Sequence, residues 1–462
     1  MSGDLADVGN GFKEAGVEQD RRNPDVAVVT APYMGEAVAA DATAVAVIGS
    51  GGSRNVRRRW PHTRRFIALP DAHAPQLMIP VDRPSIASYA IRNWWSGESR
   101  LQRLRNGLAP AAMKIGVFPD LSRSVTLGLP SAQAPFVVGG ARAFGIPDEV
   151  DWFLTLGLGD VLTRAVFHVF PRPEPEPRWV VKFARVAGYA DPFSKDERGL
   201  SLVADAGGSI SAHAPRLIGR FDVAGLPASI EEAAVGRRLT YLLQTPGHRV
   251  RKLRAIDAVA EWIVEVGRQT AAPGRFFAPE RNRLRTEVIL PWRAAGVSED
   301  LVDLVPEVPA VLQHNDLGCW NIVIGRHGFT AVDWESARRY GLPLWDLVYF
   351  LVDALVHLDG AWDPRRRETH AARLLRGELP SSAILFRWIE AAVDSLGITP
   401  SSVGPIVTLG WLHHGLSHVA RQKASDSLVA GPRSTGTYGE WMVRLWLRDP
   451  CLGPRWSAWS GG

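Results

Sequence analysis

The stretch from Val311 to Leu347, VLQHNDLGCWNIVIGRHGFTAVDWESARRYGLPLWDL, decides how the rest of the chain is read. It carries His314, Asp316 and Asn321 in the spacing H-x-D-x-x-x-x-N. An apolar, strand-like run follows at Ile322 to Ile324, then a glycine-containing turn, a second apolar run, and Asp333. Two short strands joined by a turn would return Asp333 to the side of Asn321. A carboxylate and an amide oxygen converging there are hard-oxygen donors of the kind Mg²⁺ prefers. Asp316 would sit one loop away, placed to receive a proton from an attacking hydroxyl.

A catalytic-loop Asp, a metal-binding Asn and a second metal-binding Asp on the next turn are the working parts of protein-kinase-like phosphotransferases. The wording departs from that of protein kinases, with H-N-D for H-R-D and D-W-E for D-F-G. The string HNDLGCWN…VDWESARRYGLPLWDL resembles the aminoglycoside phosphotransferase and choline kinase family, which typically reads HGDLxxxN…IDWE…GxPxxDL. Asp316, Asn321, Asp333, Gly341, Pro343 and Asp346 fall on that pattern, and Asn315 stands where glycine is usual. The resemblance implies an α+β, protein-kinase-like two-lobed fold, ATP as phosphoryl donor, Mg²⁺, and a small-molecule hydroxyl acceptor. It implies Asp316 as the catalytic base, Asn321 and Asp333 as metal ligands, and His314 and Asp346 as structural support, with Asp346 bracing the catalytic loop.

Upstream, the pattern turns to β near Glu149. Trp152 to Phe170 reads as strand, glycine turn, strand, and RWVVKFARV reads as the next strand after a Pro/Glu-rich loop. Alternation sets Trp179, Val181 and Phe183 on one face and Val180, Lys182 and Ala184 on the other. A lysine inside an apolar strand costs free energy unless it is paired, whereas an edge-strand lysine can snorkel to water. The resemblance implies that Lys182 holds the nucleotide phosphates. Gly157 and Gly159, in LGLGD, mark the turn expected to cover those phosphates, although a G-x-G string alone is weak. A helix beginning near Ser194 offers Glu197 as the partner of Lys182. The same S-x-x-E string is also a capping box, in which Glu197 closes the helix on Ser194. PRLIGRFDV and LPASIEEAAVGRRL read as the fourth and fifth strands, and the resemblance implies that backbone near Glu232 to Ala234 holds the adenine edge.

The remainder bounds the answer. The chain has 462 residues, 46% hydrophobic and 22% charged, as ordinary globular proteins are. Lys and Arg number 53 against 48 Asp and Glu, a mild excess. Two cysteines give neither a disulfide framework nor metal-ligand spacing. No apolar run reaches transmembrane length and the start lacks a basic-then-apolar leader, so the expectation is a cytoplasmic protein. Nucleic acid is not expected as a partner, and the oligomeric state is left open. Four segments are expected: a flexible 1–60, an N-terminal extension module at 61–148, a kinase-like small lobe at 149–236, and a helical large lobe at 237–462. In the second, RFIALP and PQLMIP read as strands and Pro84 to Leu108 as a helical stretch with adjacent Trp94 and Trp95. The arginine run from Arg54 to Arg65 reads as a solvated basic face or as a contact for an acidic partner. His414 and His418 have i, i+4 spacing, but without a third ligand packing is the plainer use.

The acceptor is the least legible part. Asp353, Asp359 and Asp363 could give a cationic aminoglycoside an acidic floor, yet Arg365 to Arg367 follow at once. Trp320, Trp334 and Trp345 offer aromatic faces for a sugar ring or else pack in the core. A sugar or other polyol is the acceptor favoured here, with aminoglycosides and amino alcohols as alternatives. A nucleotide-binding scaffold without turnover, suggested by Asn315, is a second class of function.

Overall fold

The long sheet strands lie in the first half of the chain, and Val, Ile, Phe and Trp recur along the described ones. The computed structural model describes residues 28–30, 45–48, 62–70, 75–95, 124–129, 134–138, 140–156, 163–184, 190–223, 226–295, 297–305 and 307–428. Two compact units divide the chain: Met1–Phe193 with Arg216–Val235, and Ser194–Pro215 with Gly236–Gly462.

The first unit is built on one antiparallel sheet of ten strands. In chain order these are β1 (Val28–Thr30), β2 (Val45–Ile48), β3 (His62–Leu69), β4 (Leu77–Pro80), β5 (Ser124–Leu129), β6 (Val150–Thr155), β7 (Ala165–Pro171), β8 (Trp179–Phe183), β9 (Leu217–Val223) and β10 (Leu226–Glu232). Their order across the sheet is β1-β2-β5-β3-β4-β6-β7-β8-β10-β9. Period-two alternation sends neighbouring apolar residues to opposite faces. Phe66, Trp152 and Val169 enter one core with Val181 and Ile230, while Ile67, Phe153 and Phe170 enter another. Helix α1 (Pro84–Trp94) covers that second face with Ile86, Ala87, Ala90 and Ile91, and Trp94 packs 4.0 Å from the His168 ring.

The boundary expected near residue 149 therefore falls inside a sheet. β4 pairs with β6, Leu77 opposite Thr155 and Met78 opposite Leu154. Ion pairs reinforce the seam. Asp151 on β6, 6% exposed, accepts hydrogen bonds from Arg64 on β3, from Arg83 before α1, and from Arg172 after β7. Arg64 is thus committed within the fold. Residues 54–61 of the arginine run lie outside the described residues.

The second unit is mainly helical. It contains most of α2 (Asp191–Ala206), then α3 (Arg249–Thr270), α4 (Trp345–Leu358), α5 (Ser382–Leu396) and α6 (Pro400–Leu428). The apolar periodicity of α4 is nearly all-round, and most of that helix is buried. Two small antiparallel sheets complete the unit. One orders β11 (Arg237–Arg238), β13 (Ile322–Ile324) and β14 (Phe329–Ala331), and the other pairs β12 (Val311–Gln313) with β15 (Arg338–Gly341). The capping box proposed at Ser194 is not formed: α2 begins at Asp191, so Ser194 lies within the helix rather than at its N-cap. No described helix is long and apolar enough to cross a membrane.

Candidate active site

The β13–β14 hairpin sets the geometry. Ile322 pairs with Ala331 and Ile324 with Phe329, so the residues flanking the hairpin face each other. The Val332 amide donates to the Asn321 carbonyl at 2.8 Å, which brings Asp333 back beside Asn321. Asn321 Nδ2 donates to the Asp316 carbonyl at 2.7 Å and to Asp316 Oδ2 at 3.2 Å. That orientation commits the amide nitrogen to the loop at Asp316 and leaves Oδ1 as the end suited to a cation. Asp333 adopts φ +71° at the start of the next turn.

Asp346, in the first turn of α4, holds the other side of the loop. Its Oδ2 accepts from the His314 amide at 2.6 Å and its Oδ1 from the Asn315 amide at 2.8 Å. Burial pushes the Asp346 carboxyl up to about 6, against the downward pull of those two donors. The His314 ring bridges loop and hairpin. Nε2–H donates to the Val332 carbonyl at 3.0 Å, and Nδ1 accepts the Asp316 amide at 3.3 Å, an assignment made from the partners. Burial holds its pKa down at about 4, so the ring stays neutral with one donor and one acceptor.

Asp196 and Arg238 at this site were not singled out from the sequence, whereas Asp353 was read there only as a floor for a cationic acceptor and Trp320 as an aromatic face or a core residue. Asp353, two turns along α4 from Asp346, accepts the Cys319 amide at 2.9 Å and so holds the far end of the loop. Asp196 on α2, 2% exposed, accepts the Trp334 amide at 3.1 Å. Its signal was the α2 periodicity, since Phe193, Asp196, Leu200 and Val203 fall on one buried stripe that excludes Glu197. Arg238 on β11 lies with its guanidinium 5.0 Å from the Trp320 ring, against which Tyr241 packs edge-on at 5.2 Å. Trp320 is 39% exposed, whereas Trp334 and Trp345 are buried, so of the three tryptophans it alone presents a face to solvent.

The acidic floor considered for a cationic acceptor is largely spoken for. Asp353 holds the Cys319 amide and lies 3.6 Å from His357 Nε2. Asp359 accepts from Ser381 Oγ at 2.5 Å and lies 3.0 Å from His370 Nε2. Among the described residues no cluster of three or more His, Cys, Asp or Glu side chains could hold a metal, and the side chain of His418 lies outside them.

In the first unit, Lys182 is 7% exposed and its Nζ lies 2.5 Å from Glu231 Oε1. Lys182 stands opposite Ser229 on β10, so Glu231 is its diagonal neighbour on the same sheet face. Glu231, not named from the sequence, is the partner this unit supplies. Glu197 lies on the part of α2 that belongs to the second unit and is half-buried. Glu232 pairs with Arg216, and the amides of Glu232 and Ala233 are committed to the carbonyls of Arg216 and Arg178. Ala234 is buried beside them. Gly157 and Gly159 lie outside the described residues.

Residues 163–385 match the phosphotransferase enzyme family. The matched segment is just under half of the chain. The match takes in β7 through most of the helical unit, including every residue of the constellation around Asp316. Among solved structures, this chain is similar to a putative aminoglycoside phosphotransferase from Ralstonia eutropha JMP134, at 12% identity and a TM-score of 0.42. That likeness covers 69% of this chain and 96% of the other. It is similar to choline kinase from Cryptosporidium parvum Iowa II at 14% identity, 71% and 99% coverage, and a TM-score of 0.39. An aminoglycoside phosphotransferase from Streptomyces rimosus, in complex with ADP and streptomycin, matches at 14% identity, 64% and 98% coverage, and a TM-score of 0.36. A comparison with curated proteins gives no match.

Proposed function

We propose that this protein is a phosphotransferase that moves the γ-phosphoryl group of ATP to a hydroxyl of a sugar or other polyol. The observation that carries the reading is the convergence of Asp316, Asn321 and Asp333 on one hairpin-and-loop unit, braced by Asp346. Asp316 takes the proton of the acceptor hydroxyl as its oxygen bonds to the γ-phosphorus. The bond from that phosphorus to the bridging oxygen breaks, and ADP leaves with the electron pair. Asp333 and Asn321 Oδ1 form a hard-oxygen pair that fits Mg²⁺, which commonly takes one or two protein ligands and completes its shell with phosphates and water. When bound, the ion would supply neutralisation of phosphate charge. Lys182, held by Glu231, is proposed to bind the nucleotide phosphates. His314 and Asp346 fix the loop so that Asp316 needs little reorganisation, which is where catalysis of this type gains most.

The acceptor reading rests on Trp320. Its exposed ring lies in the loop between Asp316 and Asn321, and aromatic faces suit the apolar faces of sugar rings. The engaged state of Asp353 and Asp359 counts against a polycationic acceptor. Mg²⁺-dependent ADP release across a panel of sugars, polyols, amino alcohols and aminoglycosides tests the proposal. Turnover with neutral sugars or polyols is expected, and turnover confined to aminoglycosides would overturn the acceptor assignment.

A further inference from the structure

Residues 194–215 leave the sheet-rich unit and are counted with the helical one. Three contacts within the helical unit give that division a chemical basis. Asp196 Oδ1 accepts the Trp334 amide at 3.1 Å, in a buried setting. Gly199, one turn further along α2, allows the helix to sit directly on the same turn. A Cβ at Gly199 would fall 2.0 Å from the Trp334 carbonyl oxygen and 3.0 Å from its Cβ, which backbone cannot accommodate without moving. At the other end of the hairpin, His213 Nδ1–H donates to the Phe329 carbonyl at 2.9 Å. The His213 ring stacks on Phe329 at 4.1 Å, and its own carbonyl accepts the Ala331 amide at 2.7 Å.

The segment therefore grips the hairpin that carries Asn321 and Asp333 at both ends. Trp334 transmits the grip further, since its ring lies 4.5 Å from His314, the residue that accepts the Asp316 amide. We infer that residues 194–215 form a positioning clamp for the metal-binding turn, with Asp196 and Gly199 as the residues that fix Asp333 through the Trp334 peptide. The inference rests on the proposed roles of Asp333 and Asn321. Asp196 acts on the turn through an accepted hydrogen bond, which an asparagine oxygen at the same position can also accept. A lost partner behind a metal ligand commonly weakens metal affinity about 10–100-fold.

The test uses the full chain and two readouts. The first is amide hydrogen exchange over residues 329–336 in metal-free protein, and the second is ATP binding titrated against Mg²⁺. Asp196→Asn keeps an accepting oxygen and is expected to match the parent in both. Asp196→Ala is expected to speed exchange in that segment alone and to raise the Mg²⁺ concentration needed for ATP binding at least about tenfold. Gly199→Ala is expected to do the same by steric displacement. An Asp196→Ala protein with parental exchange and parental Mg²⁺ titration overturns the clamp while leaving the phosphotransferase reading intact. If the alanine variant does not fold, Asp196→Asn decides, because a tenfold weaker Mg²⁺ response there contradicts a role carried by the oxygen. A parent whose ATP binding ignores Mg²⁺ removes the metal reading and the clamp together.

Discussion

Asn315 holds φ +68°, in the left-handed region that glycine enters without cost and asparagine tolerates better than most residues. Glycine is usual here in the related family, and the backbone angle explains the exchange without any loss of the loop's geometry. The substitution that suggested a scaffold without turnover is thus a conformational equivalent. Asn315→Gly is expected to leave stability unchanged or slightly raised, since it also removes a buried Oδ1 that has no hydrogen-bond partner. Asn315→Val should cost about 1–3 kcal/mol, because a β-branched residue is strained at positive φ. Denaturant unfolding of the two variants checks both. Asp346 gives a second expectation. Its folded pKa, raised by burial to about 6 from an ordinary 3.8, means the folded chain keeps a proton that the unfolded chain has released. Its contribution to stability therefore falls as pH rises between those values. The stability of the parent relative to Asp346→Asn should decline across that interval, as read by melting temperature. A difference independent of pH would contradict it. Asp316, Asn321, Asp333 and Asp346 were legible because they lie close in sequence and their spacing encodes the loop and hairpin. Asp196 was not, because its partner Trp334 is far along the chain.

Elements were read well where periodicity is strong. The strands read at RFIALP, PQLMIP and RWVVKF overlap β3, β4 and β8, differing from them only at their ends. Pairing was harder to read. The meeting of Glu231 with Lys182 depends on the register of β8 against β10, and local sequence does not specify that register. The start of α2 at Asp191, rather than near Ser194, likewise follows from packing of its buried stripe. At this scale the seam at Asp151 is the feature to test. Burial pushes its carboxyl up, but hydrogen bonds from Arg172 and Arg83 and the charge of Arg64 outweigh that and hold it below the ordinary 3.8. A depressed carboxylate stabilises the fold above its unfolded pKa, and the contribution is lost as pH falls through the folded value. Asp151→Ala should lower the melting temperature at neutral pH, with the deficit shrinking below about pH 4. A deficit that persists undiminished in acid would assign the loss to packing instead.

At the scale of the molecule, the ten-stranded sheet changes what the N-terminal part is for. The composition of residues 61–148 suggested a separate module, but the pairing of β4 with β6 and the shared cores make its strands part of one sheet. Sequence could not show this, since edge and central strands share one alternation and the order across a sheet is set by long-range contacts. A chain beginning at Glu149 would bare the β6 edge and the apolar partners of Phe66, Ile67, Met78 and Ile79. It is expected to aggregate or to melt well below the full chain, as read by light scattering and thermal unfolding. A soluble truncation with parental melting temperature would show the sheet-rich unit complete without those strands.

The central claim is that Asp316 is the base of an ATP-dependent transfer to a hydroxyl. The most direct measurement is transfer of γ-labelled phosphate from ATP to the best acceptor of the panel, comparing the parent with Asp316→Asn at saturating Mg²⁺. The account predicts unchanged ATP binding with transfer slowed by about 10²–10⁴-fold, the usual span for loss of a general base. Transfer within a fewfold of the parent would contradict it.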